Sequence, residues 1–202
     1  MAAGLVAGCG SMVGSRQLAK GTSSALVAAA SPAPVAAPAA IAAPAVQTRV
    51  ATDVKRLFLH NLHTGETLKT VYWEGGGYVD GALAEARHAL RDWRNGEQHP
   101  MDPRLFDVFH DLGARLEVDR PFQIICGYRS PATNAMLHSR SSEVASHSLH
   151  MDGKATDLRV EGVELAHLQK AALSLGRGGV GYYPVSDFVH VDTGRVRRWS
   201  GA

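Results

Sequence analysis

Residues 178–193 read GGVGYYPVSDFVHVDT, and this stretch decides the fold class. Gly178–Tyr183 and Phe188–Thr193 are rich in β-branched and aromatic residues and are separated by a Pro-containing turn, so they read as two closing strands. In the second, Val189 and Val191 point to one face while Phe188, His190 and Asp192 share the other. Upstream, Ala155–Val160 alternates in the same way, setting Ala155, Asp157 and Arg159 against Thr156, Leu158 and Val160. Between these segments, Leu165, Leu168, Ala172 and Leu175 keep helical spacing, closed by Gly176. Phe122–Tyr128 reads as a short apolar strand and Pro131–Ser139 as a short helix. Before them, Asp102 caps a helix with Pro103 in its first turn and the stripe Leu105, Val108, Phe109, Leu112 and Leu116. Val79, Leu83, Ala86, Leu90 and Trp93 make another helix that stops at Asn95-Gly96. Arg56–His60 and Thr67–Trp73 form an opening hairpin around a Gly-containing turn. Strands cluster late and do not alternate regularly with helices, which points to a single α+β domain and away from a doubly wound parallel sheet.

The folded region is expected over residues 50–202, long enough to bury a core. Residues 1–49 differ in kind. Ala25–Val46 contains 12 Ala and 4 Pro in 22 positions, side chains too small for a core and too often interrupted for a membrane-spanning helix. With Arg16 and Lys20 ahead of the apolar Ala25–Ala30, the segment reads as an export signal running into an Ala/Pro-rich linker. Val6-Ala7-Gly8-Cys9 resembles a lipoprotein cleavage box, though it lacks an apolar segment before it. Of 21 Lys and Arg, three (Arg16, Lys20, Arg49) lie in these 49 residues, which hold no Asp or Glu, leaving 18 basic against 19 acidic side chains in the rest. A near-neutral folded part offers no basic face for nucleic acid. Two cysteines, Cys9 and Cys126, give no disulfide framework, and Cys126 inside Phe122–Cys126 reads as a small core residue.

Chemistry concentrates in Ser148-Leu149-His150-Met151-Asp152-Gly153-Lys154-Ala155-Thr156-Asp157 and in Phe188-Val189-His190-Val191-Asp192. His and carboxylate are donors that zinc accepts, and a catalytic zinc takes three protein ligands and keeps a fourth position for water. If the strands carrying Asp157 and His190 are neighbours, their polar faces line one cleft. Gly153 then lets the chain turn back so that His150 reaches the same point. Each piece also has an ordinary reading, a hydrogen-bonded strand His or a strand-end charge, and no HExxH helix is present.

The pattern S-x-H-x-x-G-x-A-x-D followed by His on a terminal strand resembles the D,D-peptidase/hedgehog zinc metallopeptidase superfamily. HNLHTGE, ICGYRSPATN, SLHMDGKATD, GGVGYYP and FVHVDTGRVRRW are similar, in order, to the YcbK-like murein endopeptidase K family, from about Lys55 to Trp199. That resemblance implies a central antiparallel sheet flanked by helices, Zn2+ on His150, Asp157 and His190, and export to the periplasm or cell envelope. It also implies hydrolysis of peptidoglycan stem peptides at diaminopimelate crosslinks. The alternatives are a D,D- or L,D-carboxypeptidase and a non-catalytic, zinc-containing wall-binding module. The chain is expected to act as a monomer with no transmembrane span once mature.

Arg129 stands where relatives place a cleft arginine, suited to an oxyanion or a substrate carboxylate, or else to anchoring its loop. Two candidates compete as general base. Asp187 sits three residues before His190, where several relatives carry Glu, but strict alternation sets it on the opposite face. Asp192 shares the face of His190 and serves equally as a carboxylate that orients a ligand. His147 reads as a solvated loop residue or as a hydrogen-bond partner of substrate or leaving amine, and Arg195–Trp199 reads as a solvated tail with Trp199 against the sheet, the alternative being a contact with anionic wall polymer.

Overall fold

The computed structural model describes residues 53–141 and 144–201. The export signal, the linker and Cys9 lie outside the described residues. Eight strands form one sheet: β1 (Lys55–Asn61), β2 (Thr67–Glu74), β3 (Gly77–Tyr78), β4 (Phe122–Cys126), β5 (Ala155–Val160), β6 (Gly179–Tyr183), β7 (Phe188–Asp192) and β8 (Arg197–Ser200). Four helices join them: α1 (Asp80–Ala89), α2 (Pro103–Leu116), α3 (Pro131–Arg140) and α4 (Leu165–Leu175). Among the described residues no helix is long and apolar enough to cross a membrane.

The sheet order is β3-β2-β1-β4-β5-β7-β6-β8. The α+β class holds, but the sheet is mixed where antiparallel strands were expected. β1 pairs with β4 in parallel and β6 with β8 in parallel, while the remaining pairs are antiparallel. The first parallel pair follows from connectivity, since α1 and α2 carry the chain from the opening hairpin back to the starting end of the sheet, as a parallel crossover requires. The second arises because β7 is already flanked by β5 and β6, so the returning chain adds beside β6. Arg197–Ser200 is therefore an edge strand rather than a solvated tail.

Two helices show how closely local sequence sets the ends. Asp102 accepts from the Arg104 amide and Pro103 opens α2, relieving one of the unpaired N–H groups of the first turn. Leu105, Phe106, Val108, Phe109 and Leu112 bury one side of that helix. α1 ends at Ala89, earlier than its apolar spacing suggests, and Trp93 leaves the helical line to stack on His63 with ring centroids 4.0 Å apart. One face of the sheet carries Leu57, Leu59, Ile124, Leu158, Val189 and Val191 into the core cluster with α2 and with Leu168 and Ala172 of α4. The opposite face of the central strands carries the polar residues.

Candidate metal centre

β5 and β7 are hydrogen-bonded neighbours, with Asp157 directly opposite His190. The same row continues across the sheet, Cys126 opposite Asp157 and Gly181 opposite His190, then Trp199 opposite Gly181. Directly opposed residues share a face, so local alternation delivers Asp157 and His190 to one place. A Cβ at Gly181 would fall 2.6 Å from the Trp199 indole; glycine there lets the ring lie over the strand, 5.1 Å from the His190 ring.

His150 arrives from the turn before β5. Gly153 has φ +65°, and a Cβ there would meet the Pro100 carbonyl at 2.2 Å. Glycine is needed on both counts. The turn brings His150 Nε2 to 3.2 Å from Asp157 Oδ1 and 3.2 Å from His190 Nδ1, and the last two atoms are 2.9 Å apart. A tetrahedral zinc with bonds of ~2.0–2.2 Å separates its ligand atoms by about 3.3–3.5 Å, so this triangle fits a metal ion with small adjustment.

The outer nitrogens are fixed as well. His150 Nδ1 donates to the Gly127 carbonyl at 2.7 Å, and His190 Nε2 faces Asp192 Oδ2 at 3.2 Å. Each partner holds its ring in place and turns the other nitrogen toward the triangle, the usual support for metal-bound histidine. Asp192 is itself held by Arg197 and by the Gly179 and Gly194 amides.

Charge is concentrated here. Burial alone would lower His150, but Asp157 foremost and Cys126 outweigh it and push the imidazole up to about 10. Burial would raise Asp157; His150 and His190 instead hold it far below the usual carboxylate range. Asp192 is likewise lowered, its burial overcome by His190, Arg197 and the glycine amides. A buried pair of imidazoles tied to carboxylate in this way is a site built for positive charge.

The triangle opens on a cleft of about 410 Å³ lined by Arg129, His147, Tyr183, Phe188, Arg197 and Trp199 among others. Arg129, its side chain 13% exposed, lies 3.7 Å from Asp157 Oδ2 and in long contact with Asn134 Oδ1 at 3.5 Å. Asn134 also donates to the Ala145 and Ser146 carbonyls, tying Arg129 to the segment that forms the cleft wall. The side chain of His147 is 74% exposed and 3.8 Å from Asp152 Oδ1.

Neither acidic candidate stands free as a base. Asp187 takes φ +54° in the turn before β7, is 59% exposed and pairs with Arg159, and it does not line the cleft. Asp192 shares the His190 face, as alternation requires, but its oxygens are occupied behind the ring. Cys126 is buried, as the core reading expects, and its thiol also lies within 4.8 Å of the His150 and Asp157 donor atoms. Burial would raise that thiol, but His150 and Arg129 hold it below its ordinary value. Trp199 was expected against the sheet but not at the cleft, and Tyr183 and Asn134 were not singled out from sequence, since only strand pairing brings Trp199 and Tyr183 to the cleft and only the fold brings Asn134 to Arg129, Ala145 and Ser146.

A family model described as peptidoglycan L,D-endopeptidase MepK matches residues 49–199. The chain is 48% identical over 143 residues to the peptidoglycan L,D-endopeptidase MepK of Escherichia coli (strain K12), covering 71% of this chain and 79% of that protein. It is 42% identical over 158 residues to the probable peptidoglycan L,D-endopeptidase MepK of Haemophilus influenzae, covering 77% and 85%. No solved structure matches the chain at a significant level.

Proposed function

Because the chain belongs to the peptidoglycan L,D-endopeptidase MepK family, it is a peptidoglycan endopeptidase, and we propose that it cuts the crosslink between two diaminopimelate residues using zinc held by His150, Asp157 and His190. What supports the metal assignment above all is the donor triangle, with sides of 3.2, 3.2 and 2.9 Å at the floor of the cleft. When bound, the ion supplies a Lewis acid for the scissile carbonyl and an acidified water as nucleophile.

The chain's own residues do the rest. Arg129 stabilises the negative charge that develops on the carbonyl oxygen, a role suited to a fixed guanidinium in a partly enclosed site. His147 gives a proton to the leaving amine; among the described cleft residues it is the one imidazole outside the triangle. Asp192 holds the His190 ring through Nε2, and Asp187 takes no part in the chemistry. Tyr183, Phe188 and Trp199 form an apolar wall for the aliphatic arm of the stem peptide. The protein works in the periplasm as a monomer after export directed by the first 49 residues.

Digestion of purified sacculi, followed by separation of the muropeptides, tests the reading. Diaminopimelate-crosslinked species should disappear, EDTA should stop this, and added Zn2+ should restore it. Loss of single D-alanines with crosslinks intact would instead make the protein a carboxypeptidase, and absence of product at any zinc concentration would make it a wall-binding module.

A further inference from the structure

We propose that the open face of the sheet beside the cleft is a docking track for an acidic stem peptide, the arm of the substrate that runs from the scissile bond over β5 and β4 to β1; this rests on the endopeptidase assignment above. The track is one cross-strand row. Thr67 lies opposite His60, His60 beside Gln123, and Gln123 opposite Arg159, and directly paired residues share a face. Arg159 stands two residues after Asp157, so the row runs along the same side of β5 as the donor triangle. Continued by one residue, the β5–β7 register brings Phe188 beside Arg159. Phe188 lies opposite Tyr183, their rings stack at 4.5 Å, and both line the cleft. The cleft wall and the row are therefore continuous.

The helices take the other side of these strands. Leu57, Leu59, Phe122 and Ile124 are buried in the core cluster, while Phe58, His60 and Gln123 between them are half-buried and Arg56 and Lys69 are exposed. At the far end Lys69 Nζ stands 4.7 Å from the centroid of the Phe58 ring. A sheet face open to water is ordinarily polar; this one is also basic.

Charge selects the occupant. Arg56, Lys69 and Arg159 point outward from β1, β2 and β5, and an array of one sign draws in the opposite one. Arg159 is held by Gln123 Oε1, which accepts from its Nε at 2.8 Å, and by Asp187 of the β6–β7 turn. Its side chain is still 37% exposed and that of Asp187 59%, so a substrate carboxylate can join or replace Asp187 on a guanidinium already fixed in place. Length agrees with this occupant. Strands lie ~4.8 Å apart, so β7 to β1 spans about 14 Å, the reach of about four extended residues. A stem peptide has that length and carries free carboxylates.

Kinetics of the full chain on a soluble crosslinked muropeptide test the track. Arg159→Gln, and separately Arg56→Gln with Lys69→Gln, should raise KM about two- to fivefold, as loss of an exposed charge contact does, and leave kcat unchanged. Wild type should lose the same factor when the stem carboxylates are amidated, and the variants should lose nothing further. High salt should erase the difference. Adding an uncrosslinked stem peptide to isotope-labelled wild type reads docking without turnover, so a misfolded variant leaves the test intact; the backbone amides of His60, Lys69 and Gln123 should shift. Unchanged KM in both variants, or shifts confined to the cleft, overturns the track and leaves the endopeptidase standing. Shifts on this face from peptide-free glycan strands, or from concentrating the protein alone, give it to glycan or to a second copy and overturn the stem peptide as occupant. Wild type that docks the stem on this face but leaves diaminopimelate crosslinks uncut overturns the bond assignment and not the track.

Discussion

His190 Nε2 lies 3.2 Å from the carboxylate of Asp192, two residues further along the same strand, while its Nδ1 faces Asp157 at 2.9 Å. One ring thus bridges two carboxylates, which turns Nδ1 toward the donor triangle and leaves it as the nitrogen that would hold the proposed metal. Asp192→Asn keeps the shape but lets the amide present either a donor or an acceptor to Nε2, so the tautomer is no longer fixed. The expected loss is about 10–100-fold in zinc affinity, measured by competition with a chromophoric chelator. An unchanged affinity would mean that His190 does not bind through Nδ1.

Metal uptake should compete with a proton. Without the ion, Asp157 and Cys126 overcome the effect of burial and push His150 up to about 10, so at neutral pH the imidazole carries a proton that must leave before Nε2 can ligate. Affinity therefore falls as pH falls, by about tenfold per unit for one displaced proton. Calorimetric titrations with Zn2+ at pH 7 in buffers of different ionisation enthalpy should report close to one proton released from His150; no release would show that it is already neutral.

What the sequence made legible was whatever depends on local alternation. Asp157 and His190 share a site because each faces away from an apolar partner on its own strand, and Gly153 announced the turn that returns His150. The acidic candidates could not be separated in the same way. Asp187 is turned aside by a positive φ and captured by Arg159. Asp192 is immobilised by Gly194 and Arg197 of its own motif and by the Gly179 amide of the neighbouring strand. The first fact depends on a partner far along the chain, and the second on how the chain folds back after β7, neither of which strand alternation reveals. The burial of Cys126 was legible but its approach to His150 and Asp157 was not, because a register shift of one residue is invisible in a run such as FQIIC, and the two parallel pairs depend on how loops return rather than on strand composition.

Asn134 should matter although it reaches no metal donor. It is 1% exposed and spends its amide on the Ala145 and Ser146 carbonyls and its oxygen on Arg129. Asn134→Ala leaves two carbonyls and a guanidinium underserved, costing about 1–3 kcal/mol of stability. If it positions the cleft, kcat should fall roughly tenfold or more with zinc affinity unchanged, and the backbone of 144–147 should exchange amide hydrogens faster. A stability loss with normal kcat would reduce it to a structural residue.

Far from the cleft, Asp107 of α2 joins the helix to the first strands, receiving Lys55 at 2.8 Å, the Tyr72 hydroxyl at 3.1 Å and the Tyr78 hydroxyl at 2.9 Å. Burial would raise this carboxyl, but Lys55 and the two hydroxyls outweigh it and hold it below its ordinary value. A carboxyl lowered by folding adds stability that is complete above its unfolded pKa and is lost as pH falls through its folded one. Asp107→Asn should therefore cost about 2 kcal/mol at pH 7, a drop in Tm of roughly 4–8 °C for a domain of this size. Tyr72→Phe, which removes one hydroxyl, should cost less. The gap between wild type and Asp107→Asn should narrow on acidification, because the wild-type carboxyl loses its charge while the amide has none to lose. Thermal melts at pH 7 and pH 3 check this, and a gap that stays constant would show that neither Lys55 nor the two hydroxyls favour the charged carboxylate.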